Sequence, residues 1–124
     1  MNFKLRKSSI ICFLLLVTFV IGSLKSFGQQ AYERRNNIFY YPDANTAKDP
    51  YLKSQCRLDI YYPKNAKNFA TIVWFHGGGI TGGAKEIPRE LLDKGVAVIG
   101  VGYRLSPKAK APAYIDDAAA AVAW

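Results

Sequence analysis

The 124 residues hold only two cysteines and one histidine, and that scarcity removes whole classes of chemistry. Cys12 sits in the apolar N-terminal stretch and Cys56 stands alone in the body of the chain. A disulfide scaffold is therefore excluded, as is a Cys/His zinc cluster. No apolar run reaches the roughly 20 residues that a bilayer span needs. Repeats and low-complexity tracts are missing, and acidic residues are few, 9 against 17 basic ones. With 50% hydrophobic residues the chain reads as globular, and its length allows one domain at most.

The first 28 residues account for much of the positive charge. Lys4, Arg6 and Lys7 precede an apolar run from Ile10 to Ile21, and a polar exit ends at Ser26-Phe27-Gly28. This is the pattern of a secretory signal peptide, with 29–124 as the mature part and a secreted or periplasmic location expected. Its removal leaves 13 basic residues against 9 acidic ones, a net +4, and no stable membrane span. Nucleic-acid binding then loses its electrostatic footing. Cys56, just ahead of an alternating strand, reads as a small buried hydrophobe.

Hydrophobic periodicity gives an α/β pattern. Residues 29–57 read as short strands joined by turns, with Ile38–Tyr41 the clearest strand. Leu58, Ile60 and Tyr62 share one face of a half-buried strand near a sheet edge. Ala70–Phe75 is continuously apolar, as in a parallel strand covered on both faces, with Trp74 and Phe75 in the core. Lys85–Lys94 is predicted helical, with Pro88 in its first turn and Gly95 as its cap, and Val96–Val101 is a second buried strand. Together they form a βαβ unit. Pro112–Trp124 is predicted as a helix with Ile115, Ala119 and Val122 on its buried face and Asp116 and Asp117 near its start. No stop signal follows Val122, so the chain is expected to be a piece of a longer one.

The chemical signal is His76-Gly77-Gly78-Gly79-Ile80-Thr81-Gly82-Gly83, between the first buried strand and the predicted helix. So many glycines let backbone N–H groups approach an anion. A phosphate-binding P-loop fails on register, because Gly78 and Gly83 are followed by Ala84 where lysine is required. Gly77, Gly79 and Gly82 satisfy the dinucleotide fingerprint, but no acid follows the next strand, and only Arg104, suited to a 2′-phosphate, keeps an NADP-binding module open. The third chemistry is acyl transfer, in which backbone donors of an HGGG loop hold a tetrahedral oxyanion.

For that third chemistry the residues carry a resemblance. LDIYYP, TIVWFHGGGITGG, VAVIGVGYRLSP and APAYIDDAAAAVAW occur in order from Leu58 to Trp124. This run resembles the N-terminal part of an α/β-hydrolase, and in particular the secreted carboxylesterases of the acetyl-xylan and feruloyl esterase-like and hormone-sensitive-lipase-like group. The resemblance implies a mostly parallel sheet with flanking helices, cut before the nucleophile strand, and an ester substrate, with plant cell-wall polysaccharide or its oligosaccharides as a partner. It implies no cofactor and no metal. Gly78 and Gly79 would donate N–H groups to the oxyanion, while His76 and Gly77 would shape the loop without His76 serving as base. Arg104 would pair with Asp117, and that pair is expected at the surface or half-buried and worth little.

The rest of the machinery is missing from these residues. Neither Ser54 nor Ser106 lies in G-x-S-x-G, and no histidine follows His76. Two expectations follow: the chain as written hydrolyses no ester, and the ATIVWF strand lies at an apolar sheet edge. A non-catalytic secreted binding remnant of a hydrolase is the competing reading from another class.

Overall fold

The computed structural model describes residues 30–42 and 48–124, so the signal-like segment at 1–28 lies outside the described residues. Strands β1 (Tyr32–Phe39), β2 (Arg57–Pro63), β3 (Thr71–Phe75) and β4 (Ala97–Val101) form one mixed sheet in the order β1-β2-β4-β3. β2 runs antiparallel to both neighbours, whereas β3 and β4 are parallel. Helices α1 (Pro50–Gln55) and α2 (Ala113–Ala123) flank the sheet. The α/β class and the parallel pair agree with the hydrophobic pattern.

The N-terminal third departs from the expected turns and short strands. β1 begins at Tyr32, well ahead of Ile38, and continues past a register shift between Arg35 and Ile38. There Asn37 takes a φ of 58°, and its N–H donates to Asp59 Oδ1 at 2.8 Å. Asparagine tolerates that left-handed backbone better than most residues. Asp49-Pro50 opens a helix where a turn was expected. The Asp49 carboxylate accepts the N–H groups of Tyr51 and Leu52, and Pro50 occupies a first-turn position that needs no donor.

β2 is an interior strand, contrary to its expected place near an edge. Leu58 is fully buried on one face and Asp59 is buried on the other. The second burial is possible because Lys85 Nζ lies 2.5 Å from Asp59 Oδ1, alongside the Asn37 N–H. A buried carboxylate without such partners would cost several kcal/mol (about 3–5 on breaking a buried pair).

The helix predicted over Lys85–Lys94 does not form; a single 3₁₀ turn at Arg89–Leu91 stands in its place. Pro88 has an extended ψ of 133°, and its ring steers the preceding residue away from helical backbone. At the other end Asp93 and Gly95 both have positive φ, 59° and 76°. Between these limits there is room for one turn. The segment instead lies flat on β4, where a Cβ at Gly100 would collide with the Glu86 carbonyl. Gly100 is thus a close-approach glycine.

The core gathers where both helices meet the sheet: Tyr40, Leu52, Cys56, Leu58, Val101 and Ala121. Cys56 is fully buried, and burial pushes its thiol up to about 12, so it packs as an apolar group. α2 is rotated from expectation. Ile115 and Val122 are 60% and 64% exposed, while Asp117 and Ala121 face inward. The apolar stripe loses to a carboxylate because Asp117 has partners inside, as described below.

β3 is the last strand in the sheet, with β4 as its one neighbour among the described residues. It is not covered on both faces, and Trp74 and Phe75, expected in the core, are 37% and 36% exposed. Beside it, an apolar trough of about 500 Å³ opens over Ile60, Tyr62, Phe69, Ala97, Ile99 and Trp124. Among the described residues no helix is long and apolar enough to cross a membrane. The free backbone edge of β3 with its aromatic side chains is a template for pairing between chains. Purified residues 29–124 are expected to self-associate as concentration rises, and a Trp74→Lys variant is expected to reduce this; sedimentation velocity across a concentration series is the check, with a monodisperse monomer at all concentrations counting against it.

Candidate functional site

The glycine loop leaves β3 at Phe75 and is built around His76. The imidazole is buried, stacks on Tyr103 at 4.5 Å with an interplanar angle of 13°, and places Nδ1 2.8 Å from the Gly77 carbonyl. Tyr103 Oη donates to the His76 carbonyl at 2.7 Å. The ring is packed inside the loop, with Nδ1 engaged by the carbonyl of the next residue.

Past His76 the backbone turns through positive φ at Gly78 (120°), Gly79 (60°), Ile80 (65°) and Gly83 (99°). Gly78 and Gly83 are required sterically. A Cβ on Gly78 would collide with the Gly82 carbonyl, and one on Gly83 with the Gly77 carbonyl and the His76 ring. Ile80 is a β-branched residue at positive φ, a costly conformation, and its carbonyl accepts the Ser106 N–H at 2.9 Å.

The loop is polarised. Four of its carbonyls are engaged: that of His76 by Tyr103, that of Gly77 by His76 Nδ1, that of Gly78 by the Thr81 and Gly82 N–H groups at 3.2 and 3.1 Å, and that of Ile80 by Ser106. The N–H groups of Gly77, Gly78 and Gly79 have no acceptor among the described residues. Around Gly77 and Gly79 even an added Cβ would meet nothing within 4 Å. A set of free amide donors beside open space can hold an oxygen anion.

Arg104 and Asp117 are brought together more tightly than a surface pair. Asp117 is fully buried and accepts from the Arg104 N–H at 3.0 Å, Nε at 2.9 Å and NH2 at 2.7 Å, and from Tyr41 Oη at 2.8 Å. Arg104 NH1 also reaches Asp49 Oδ2 at 3.3 Å. The expectation of a weakly coupled surface or half-buried pair is therefore corrected. Burial opposes the Asp117 charge, but the Arg104 and Tyr41 hydrogen bonds outweigh it and hold the carboxyl below its usual range. The same bonds hold Arg104 above its ordinary value.

Two of the chemistries left open by the glycine pattern can now be compared. Dinucleotide binding needs a helix whose N-terminus meets the pyrophosphate, and only the 3₁₀ turn follows this loop. Arg104 is also committed to Asp117 and Asp49, away from any 2′-phosphate. Among the described residues no group of three His, Cys, Asp or Glu can hold a metal ion. Sequence reasoning gave no role to Tyr103, Tyr41, Asp49 or the Lys85–Asp59 pair, which act across separations of 26 to 76 residues that no local motif marks.

A parallel β3–β4 pair joined by a glycine loop with outward amides, beside two antiparallel strands, is an α/β-hydrolase-like arrangement. Residues 58–124, more than half of the chain, match BD-FAE, and the chain belongs to that family. It is 35% identical over 69 residues to the carboxylic ester hydrolase LipN of Mycobacterium tuberculosis, covering 52% of this chain and 18% of LipN. It is 32% identical over 89 residues to the FAD-linked oxidoreductase pytB of Aspergillus terreus, but this takes in 67% of the chain and 11% of that protein. So small a share of the fungal protein does not carry its name over. Among solved structures, a truncated carbohydrate esterase from gut microbiota matches with 32% identity and a TM-score of 0.53, over 77% of this chain and 33% of that one. Esterase B from Lactobacillus rhamnosis shares the fold, with 24% identity and a TM-score of 0.57, over 93% of this chain and 36% of that one. The chain thus spans about a third of the length of these structures and less than a fifth of the curated relatives.

Removing the Asp117 carboxylate strands a guanidinium and a phenol in the interior. Asp117→Ala is expected to cost about 3–5 kcal/mol, read from urea unfolding. Because the native-state pKa of Asp117 lies below its unfolded value, its contribution is complete above about pH 4 and is lost as pH falls through the native value. Asp117→Asn is expected to lack that part of the acid-side decline; an unchanged stability profile between pH 2 and 5 would contradict the assignment.

Proposed function

We propose that these residues form the front part of a secreted serine carboxylesterase, with the backbone N–H groups of Gly78 and Gly79 as its oxyanion donors. The observation that carries the reading is the polarity of the glycine loop: the His76, Gly78 and Ile80 carbonyls are engaged, while the amides of Gly77, Gly78 and Gly79 have no acceptor among the described residues. An ester carbonyl gains negative charge on its oxygen when attacked, and pre-aimed donors stabilise that charge without having to reorganise. His76 and Gly77 shape the loop in this scheme, and Arg104 with Asp117 anchors the segment behind it.

Membership of BD-FAE and similarity to proteins named as an ester hydrolase and a carbohydrate esterase support an ester substrate. Acetyl or feruloyl esters of plant polysaccharide are the proposed substrates. Residues 1–28 are proposed to be a signal peptide and 29–124 part of the catalytic domain, in a protein that works outside the cytoplasm. The charge pattern of Lys4 to Lys7 followed by Ile10–Ile21 supports that location.

Donors act only when a nucleophile attacks, and none of the serines here lies in G-x-S-x-G. The 124-residue chain is expected to hydrolyse p-nitrophenyl acetate no faster than buffer, and to take up no serine-directed phosphonate. The coding sequence read beyond the Trp124 codon is expected to supply G-x-S-x-G, then an acid, then a histidine. Hydrolysis by these residues alone contradicts the scheme. A stop codon directly after Trp124 would favour the non-catalytic binding remnant, which carbohydrate binding without turnover would support.

A further inference from the structure

We propose that Tyr103 is a positioning residue of the glycine loop, its hydroxyl fixing the plane of the His76–Gly77 peptide so that the amide face of Gly77–Gly79 stays turned toward a ligand. The inference rests on reading that amide face as an oxyanion site. In a trans peptide the C=O and the following N–H point in opposite directions, so tying back the His76 oxygen aims the Gly77 N–H outward. Among the described residues the Tyr103 hydroxyl, at 2.7 Å, is the one donor to that oxygen. Gly77 has no Cβ to limit its own torsions, and one added there would meet nothing within 4 Å, while its carbonyl is held by His76 Nδ1 at 2.8 Å.

The Gly78 and Ile80 carbonyls are held by backbone N–H groups, those of Thr81, Gly82 and Ser106, with the Thr81 hydroxyl also on Gly78, and the Gly77 carbonyl is engaged by its neighbour His76. The first peptide of the loop depends on a side chain 27 residues away. The Tyr103 ring adds a second hold, stacking on the His76 imidazole against which Gly83 packs. Burial pushes the Tyr103 phenol up, so the hydroxyl keeps the proton it donates. Together the two contacts tie the entry and the exit of the loop to the residue two places beyond β4.

Tyr103→Phe keeps the ring and removes only the donor, and NMR of the 124-residue chain can read its effect without any ester. The expected result is a changed His76 carbonyl ¹³C shift and faster amide exchange at Thr81 and Gly82, by about threefold to tenfold for one lost hydrogen bond, with Val98 and Val101 unaffected. Unchanged shifts and exchange in Tyr103→Phe overturn the proposal. So does a uniform rise at Val98 and Val101, which marks a merely structural role, or an effect seen in Tyr103→Ala and not in Tyr103→Phe, which assigns the hold to ring packing. Because these readouts are independent of turnover, a loop that answers to Tyr103→Phe, in a protein whose coding sequence past Trp124 supplies no G-x-S-x-G, supports the positioning role while removing the esterase reading.

Discussion

The buried carboxylate of Asp117 is the interaction on which the arrangement depends. One oxygen accepts the main-chain N–H and Nε of Arg104, and the other accepts NH2 of the same residue and the Tyr41 hydroxyl. A charge removed from water is tolerated only when its acceptor capacity is filled, and here it is. The consequence is geometric. α2, the segment leaving β4 and the segment leaving β1 are tied at one point, and through Asp49 the same guanidinium reaches the cap of α1.

That tie sets the backdrop for the glycine loop. The residues flanking Arg104 do the holding: Tyr103 secures the start of the loop through His76, and Ser106 secures its apex through Ile80. A loop rich in glycine has much conformational entropy to lose, so its shape must be imposed by neighbours. Here they impose it through carbonyl oxygens, which leaves the amide hydrogens as the exposed polarity. Chemistry for an anion is thus a by-product of how the loop is fastened. On the other side of the sheet, Lys85 fulfils a comparable duty by neutralising Asp59 where the loop exits onto β4.

Much of this was legible in the residue order, for reasons that can be named. The apolar runs Thr71–Phe75 and Ala97–Val101 became parallel strands because β-branched side chains suit extended backbone and a glycine-rich connection separates them. Cys56 became a core residue, as its lone position implied. The errors are equally physical. Lys85–Lys94 has helical spacing, yet Pro88 and the positive φ values at Asp93 and Gly95 confine it to one turn, and Gly100 invites the backbone down onto the sheet. In α2 the spacing of Ile115, Ala119 and Val122 identified a real stripe and misjudged which way it faces, since the pairing of Asp117 with Arg104, outside the helix, decided its rotation. Trp74 and Phe75 look like core in any local window, but exposure depends on a strand's place in the sheet, which local pattern does not encode.

By itself, the sequence determined what backbone sterics and side-chain periodicity control: the α/β class, the parallel strand pair, and a glycine loop between those two strands able to bring bare amides to an anion. Only the tertiary structure decided the order β1-β2-β4-β3, the interior place of β2, the inward face of α2 and the partners of Asp117, Asp59 and His76. These are contacts between residues distant in the chain. Their energies come from desolvation and from filled hydrogen-bond capacity, quantities that exist only once the surrounding side chains have closed in.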